Sequence, residues 1–139
     1  MADYKPMTGA TQSIAASALR AQQARMRVIA ENMANANSVS RQAGGDPYRR
    51  QIPVFTPYTT DAGQGVRVAR VTPDPKDFRS VYDPGHPSAD GQGYVKLPNV
   101  DPLVEALDMK EAQRAYEANL NVIETARAME QRTLDILKK

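Results

Sequence analysis

The chain has 139 residues and is 41% hydrophobic, but 20 residues are Ala and only 25 are Leu, Ile, Val or Phe. Aromatics are 6% and Trp is absent, which argues against a compact globule with a large private core, while a net charge of only +2 leaves the compositional warning of disorder half met. The length allows one domain, which must be extended or must borrow partners to complete its burial. Cysteine is absent, which removes disulfides and thiolate chemistry and leaves carboxylates and the single His86 as the metal ligands. No apolar run approaches the ~20 residues that cross a bilayer, and the first twenty residues lack the apolar middle region of a Sec signal peptide. No direct membrane insertion is expected, and any export has to use another route.

Residues 10–43 and 103–139 contain neither Pro nor Gly, whereas seven of the eight glycines lie between Gly44 and Gly93. Both residue types interrupt helices, so the chain divides into helical arms at 1–40 and 102–139 around an irregular middle at 41–101. In the first arm Ala15, Leu19, Gln22, Met26, Ile29, Met33 and Ala36 recur at steps of four and three, the apolar seam of a coiled coil with Gln22 as its polar interruption. Thr11 or Ser13 can cap this helix at its start. Asn35, Asn37 and Ser38, which compete with helical hydrogen bonds, end it.

The middle reads as strands at 50–55 and 65–71, joined through a turn at 61–65, with Pro53 and Pro57 restricting the first to an edge. Tyr94 to Leu97 is a third strand, and 72–92, rich in Pro, reads as an irregular loop. Asp101-Pro102 then supplies an N-cap and a first-turn proline, with Glu105 near the positive end of the helix dipole. Two seams follow. One runs through Ala106, Met109, Gln113, Tyr116, Leu120, Ile123, Arg127, Glu130, Leu134 and Leu137. The other runs through Ala112, Ala115, Asn119, Val122, Ala126, Met129, Thr133 and Ile136. Two adjacent seams exceed what one partner helix covers, which favours a bundle or an assembly.

Chemistry is sparse. Asp83, His86 and Asp90 form the one cluster resembling a metal or acid-base site, but a metal would want a second imidazole and a nucleophile would want a positioned Ser or Cys. A turn-stabilising or merely exposed His86 is the simpler reading. Gly44-Gly45 and Gly63-Gln64-Gly65 lack the spacing and following helix of a phosphate loop. Residues 1–52 carry seven basic and three acidic groups, including Arg20, Arg25, Arg27, Arg41, Arg49 and Arg50. These suit a solvated face, an acidic neighbouring subunit, or nucleic acid. Only Tyr48 interleaves them, which weakens the last. Asn32, Asn35 and Asn37 fit either a frayed helix end or amides that fix register against a packed neighbour.

The stretch AENMANANS at 30–38 resembles the N-terminal signature of flagellar rod and hook axial proteins. PYRRQIPVF at 47–55, GVRV at 65–68 and VYDPGHPSADGQGYVKLPNVD at 81–101 are similar to a proximal rod subunit within that family. Met109, Arg114, Ala115, Tyr116, Asn119 and Met129 match the family's C-terminal helix. Met33, the Ser38-Val39-Ser40 segment and the 42–46 loop depart from the usual pattern.

The resemblance implies a structural subunit of the proximal rod, without enzyme activity or cofactor. Such subunits polymerise helically into the drive shaft that transmits torque from motor to hook and encloses the export channel. Its implied partners are further copies of itself, rod subunits of the FlgB, FlgF, FlgG and FliE types, the MS-ring base and the export apparatus, with no nucleic acid. The implied location is the basal body, in the rod within the periplasm, reached through the flagellar type III apparatus without a cleaved signal peptide. The implied fold is α+β, with long N- and C-terminal helices pairing as an antiparallel coiled coil and a small irregular β-rich middle segment. Subunit contacts are then expected at Leu19, Met26, Ile29, Asn32, Met33, Asn35 and Asn37 on the first arm. On the second they are expected at Met109, Tyr116, Leu120, Val122, Ile123, Ala126, Met129 and Leu134. Another rod subunit of the family is the alternative identity, and a small hydrolytic module around His86 is the alternative chemistry.

Overall fold

A computed structural model describes residues 7–138. Helix α1 covers Met7–Ala34 and helix α2 covers Pro102–Leu137. Between them lie β1 (Gln51–Thr60), β2 (Gly63–Pro73), β3 (Arg79–Tyr82) and β4 (Tyr94–Leu97). The fold is α+β, two long helices flanking two two-stranded sheets, β1-β2 and β3-β4. The chain forms two compact units, with both helices and the first hairpin contributing to each.

One unit holds α1 as far as Met26, the hairpin Val54–Arg70, and α2 from Glu111. The helices are antiparallel here: Gln12 Nε2 donates to Glu130 Oε2 at 3.5 Å and Arg25 Nη2 lies 3.4 Å from Glu111 Oε2. Ala15, Ser17, Ala21, Ala112 and Ala126 are its buried helical positions. Small side chains let backbones approach closely, so the many alanines are a packing device as well as missing volume. The hairpin turns at Asp61-Ala62, where the Thr60 hydroxyl accepts from Ala62 N at 3.2 Å and donates to Gly63 O at 2.9 Å. It meets α1 through Ser17, whose hydroxyl accepts from Val66 N at 3.1 Å and donates to Ile14 O at 2.7 Å.

The other unit holds Arg27–Pro53 and Val71–Lys110. Val28, Ile29, Ala36, Val95 and Val100 are among its buried apolar positions. Strands β3 and β4 are antiparallel with Arg79 opposite Leu97 and Tyr82 opposite Tyr94. The Tyr82 and Tyr94 rings meet edge to face at 5.2 Å. Asp90 closes the loop between these strands, its Oδ1 accepting from both Gln92 N and Tyr94 N at 2.9 Å. Those two donors, Tyr94 first, hold its carboxyl below the usual range.

Helix ends follow local chemistry. Helix α2 starts at Pro102, where Asp101 Oδ1 accepts from Leu103 N at 2.9 Å as an N-cap. Helix α1 stops at Ala34: Asn35 Nδ2 bonds back to Glu31 O at 2.8 Å and Ser38 Oγ to Asn35 O at 3.0 Å. Its start is earlier than Thr11 or Ser13, because helix runs through an exposed Gly9 that packs on nothing and needs no strained geometry.

Three other expectations change. The first two strands are longer and their turn is two residues instead of five. The 72–92 loop contains β3, held by pairing with β4 and not by its own composition. On α1 the buried track includes Ser17, Ala21, Val28 and Asn32, off the expected seam, while Met33 on that seam is 41% exposed. The cause is tertiary: the hairpin covers the Ser17 side and the segment around Tyr48 to Gln51 covers the Asn32 side.

Gly65 is buried, and a Cβ there would lie 2.9 Å from both Ser17 Oγ and the Tyr58 ring. Gly65→Ala should therefore destabilise the protein by about 1–3 kcal/mol, the cost typical of overpacking, read as a lower urea midpoint. An unchanged midpoint would mean that Ser17 and Tyr58 move aside freely.

Candidate functional site

The densest polar constellation lies in the second unit and centres on Arg50. Its Nε bonds Glu105 Oε1, its Nη1 lies 3.2 Å from Asp74 Oδ2, and its Nη2 lies 3.4 Å from Asp108 Oδ2. Glu105 is fully buried and Asp74 nearly so. An ionised carboxylate withdrawn from water this far is tolerated only with charge and hydrogen-bond compensation, and the Arg50 fork supplies both. Burial works against the guanidinium's charge, but its bonds to Glu105 and Asp74 outweigh that and raise its pKa.

The backbone around this fork is equally tied. Arg50 N donates to Asn99 Oδ1 at 2.8 Å, and Asp74 N donates to Arg50 O at 2.8 Å. Asn99 Nδ2 and Arg49 Nη1 each bond both Asp74 O and Lys76 O. The Arg49 guanidinium also lies 4.1 Å from the Phe78 ring centroid. Asp74 Oδ1 accepts from Lys76 N at 3.0 Å, and this bond, with the Arg50 contact, holds the Asp74 carboxyl below its ordinary value of 3.8 despite burial.

Asn32 closes the network from α1. Its Nδ2 donates to Gln51 O at 2.9 Å and to Glu105 Oε2 at 3.3 Å. Its Oδ1 accepts from Gln51 N at 2.9 Å and from the Tyr48 hydroxyl at 2.8 Å. All four hydrogen-bonding positions of the amide are filled. It grips Gln51 as a neighbouring strand would, which sets where β1 begins. Tyr48 has its pKa raised, first by burial and then by the nearby Glu31 and Glu105 charges.

The expected contact residues divide by placement. Ile29, Asn32 and Ala126 are buried within the chain's own units. Leu19, Met26, Asn35, Met109, Tyr116 and Ile123 are half-buried. Met33, Asn37, Leu120, Val122, Met129 and Leu134 are exposed, Met129 at 58%. The structure therefore brings only Asn32 of this set into the polar cluster. Asp74, Asn99 and the burial of Glu105 were not singled out from sequence, and Arg50 was named among the basic residues, with any acidic partner placed on a neighbouring subunit and not within the chain. The available signal was a Glu in the first turn of α2 and a paired Arg49-Arg50 opening a strand.

His86, Asp83 and Asp90 act as turn formers. His86 Nδ1 accepts from Ser88 N at 3.0 Å, and Ser88 Oγ donates to Ser40 O at 2.5 Å while Ser88 O accepts from Gly44 N at 3.2 Å. Among the described residues no group of three or more His, Cys, Asp or Glu is arranged to hold a metal ion. Nor is any described helix long and apolar enough to cross a membrane.

Two long helices that expose large apolar side chains and are tied to each other by a buried ion cluster are the features of a structural subunit. Family models agree: residues 13–41 match the flagella basal body rod protein family and residues 92–136 the C-terminal region of flagellar basal body rod FlgEFG proteins. The chain is 43% identical to the flagellar basal-body rod protein FlgC of Agrobacterium fabrum, with 96% of each chain covered. It is 37% identical to that of Bacillus subtilis, covering 91% of this chain and 95% of the relative. To that of Salmonella typhimurium it is 43% identical, covering 88% and 92%. The chain belongs to the FlgC family of flagellar basal-body rod proteins, and it is a structural rod subunit.

Arg50→Ala leaves Glu105 and Asp74 buried without their counter-charge and should cost about 3–5 kcal/mol, measured by urea unfolding at pH 7. A cost near that of an ordinary surface substitution would remove the cluster from its central place. Asp74 has a depressed folded pKa, so its contribution is complete above 3.8 and is lost as pH falls below that value through the folded one. Asp74→Asn should accordingly lower stability at pH 7 and flatten its decline between pH 5 and 2, compared by urea midpoints across that range.

Proposed function

We propose that the chain polymerises helically as a subunit of the proximal rod, with its two helical arms lining the rod core and the middle segment facing neighbouring subunits. The observation that carries this reading is the apolar surface left open on α2. Leu103, Leu107, Val122, Met129, Leu134, Ile136 and Leu137 are all exposed in the monomer. Large apolar side chains exposed in such number along one helix are a liability unless a partner covers them. Family membership supports rod subunits, including further copies of this chain, as that partner. Rod subunits of the FlgB, FlgF, FlgG and FliE types and the MS-ring base are the neighbours this reading requires.

The role is mechanical and not enzymatic: the subunit transmits torque and helps enclose the export channel. It resides in the rod where that crosses the periplasm, and it arrives unfolded through the type III apparatus without signal cleavage. Marginal helix packing suits that route, since Ala-lined contacts release less energy per residue than large apolar ones and so oppose unfolding less.

Val122→Asp and Met129→Asp test the assembly role. Both sites are exposed, so each change should alter monomer stability by no more than about 0.5 kcal/mol, yet motility and rod density in electron micrographs of basal bodies should be lost. Retained motility in the double variant would refute the role of this face. Amide exchange gives a second check: the arms should be weakly protected in the free monomer and become protected on assembly.

A further inference from the structure

Strand β3 has one open edge. Asp83 N donates to Gly93 O at 2.9 Å, and Tyr82 lies opposite Tyr94. Because antiparallel ladders alternate bonded and non-bonded pairs, residues 79, 81 and 83 turn their backbone groups toward β4. Ser80 and Tyr82 turn theirs away. On the far side of β4 the same alternation points Tyr94 outward, and there Asp90 satisfies both main-chain groups: its Oδ1 accepts from Tyr94 N and its own N–H donates to Tyr94 O. Nothing among the described residues does so for Ser80 and Tyr82, since the sheet has two strands only. All four residues of β3 are exposed, Val81 at 49% and Tyr82 at 64%.

The side chains along this edge are self-complementary. Read antiparallel about Val81, Ser80 falls opposite Tyr82, Val81 opposite itself, and Arg79 opposite Asp83. The outward groups of Ser80 and Tyr82 then exchange four main-chain hydrogen bonds. Arg79 and Asp83 occupy the close, non-bonded positions, where opposite charges attract most strongly across strands. Arg79 is free enough to do this: its two contacts inside the subunit, to Pro98 O and Val100 O, are both 3.4 Å long. Asp83 forms no ion pair among the described residues. A two-stranded ribbon is marginal by itself, and pairing would make it a four-stranded sheet.

We propose that β3 is a docking edge for β3 of a second copy of this chain, forming a two-fold pair centred on Val81 with reciprocal Arg79–Asp83 ion pairs. Such an isologous pair closes on itself, so it is a state of the free subunit and not a contact repeated along a helical polymer. It stands independently of the rod role. The contact is small compared with stable interfaces, so association in the micromolar to millimolar range is expected.

Sedimentation velocity of the full chain from about 10 µM to about 1 mM, a range that brackets such weak complexes, tests it. The wild-type chain should shift from monomer to dimer across that range. Asp83→Arg and Arg79→Asp should each weaken self-association at least tenfold, while an equimolar mixture of the two variants should associate as the wild type does, since every facing pair is then of opposite charge. Circular dichroism checks that each variant is folded. A wild-type chain that stays monomeric to 1 mM, a D83R chain that dimerises normally, or folded variants that fail to rescue each other overturns the proposal. If either variant proves unfolded, Ser80→Pro, which removes an outward donor and leaves the β4 bonds in place, must abolish the dimer; a persisting dimer overturns it equally.

Discussion

Glu105 is the residue on which the second unit turns. A carboxylate with no solvent exposure costs several kcal/mol to bury, and among the described residues Arg50 is the cation that reaches it. Satisfying Glu105 fixes Arg50. Fixing Arg50 fixes Asp74 through the other arm of the guanidinium, and its main chain locks to Asn99 and Asp74 on either side. The same carboxylate receives Asn32 from α1. One buried charge thereby determines where β1 leaves, where β2 ends and how the start of α2 faces α1 within this unit. Among the described residues the buried hydrophobic side chains of this unit are Val28, Ile29, Ala36, Val95 and Val100, and apolar contact is non-directional, so the hydrogen-bonded cluster fixes the register more sharply than that packing does. The polar cluster supplies specificity that the composition withholds from the core.

What was legible in the sequence was what depends on neighbours in the chain. Asp101-Pro102 starts a helix through bonds made within four residues, and Asn35 with Ser38 ends one the same way. Strand β4 could be read from Tyr94 to Leu97 because its β-formers are consecutive. Strand β3 could not, since Arg79 and Ser80 are neutral and its stability comes from a partner 12 or more residues along. The Arg50 cluster is harder still. Its bonds join residues 24, 55 and 58 positions apart, and nothing local distinguishes Glu105 from an ordinary first-turn acid. The spacing of apolar residues on α1 was real but incomplete, because a helix covered on a second side has more buried positions than one seam provides.

Three of the five stretches that carried the family resemblance nevertheless meet in this one place, while GVRV at 65–68 and the matched positions from Arg114 onward lie in the other unit. Asn32 belongs to the first, Tyr48, Arg49, Arg50 and Gln51 to the second, and Asn99 with Asp101 to the last. These three pieces of the pattern are thus one constellation in space, with Asp74, Glu105 and Asp108 as the members that no such stretch contains. His86 is explained by the same geometry of turns. Its imidazole nitrogen orients Ser88, and Ser88 bonds the segment at 40–44 through both its hydroxyl and its carbonyl.

The shortage of large apolar residues is also a matter of placement. Val122, Met129, Leu134, Ile136 and Leu137 are spent on the surface of α2, while the buried helical positions of that unit are Ala15, Ser17, Ala21, Ala112 and Ala126. This inverts the usual distribution, in which large side chains fill the interior and small or polar ones face water. A free monomer arranged so gives up roughly 1.5–3 kcal/mol for each large side chain left outside. If rod neighbours bury those residues, as proposed above, the energy missing from the monomer reappears as energy of assembly. On the proposed rod role, folding leaves these side chains of α2 outside and assembly covers them, so the two steps share one pool of apolar surface.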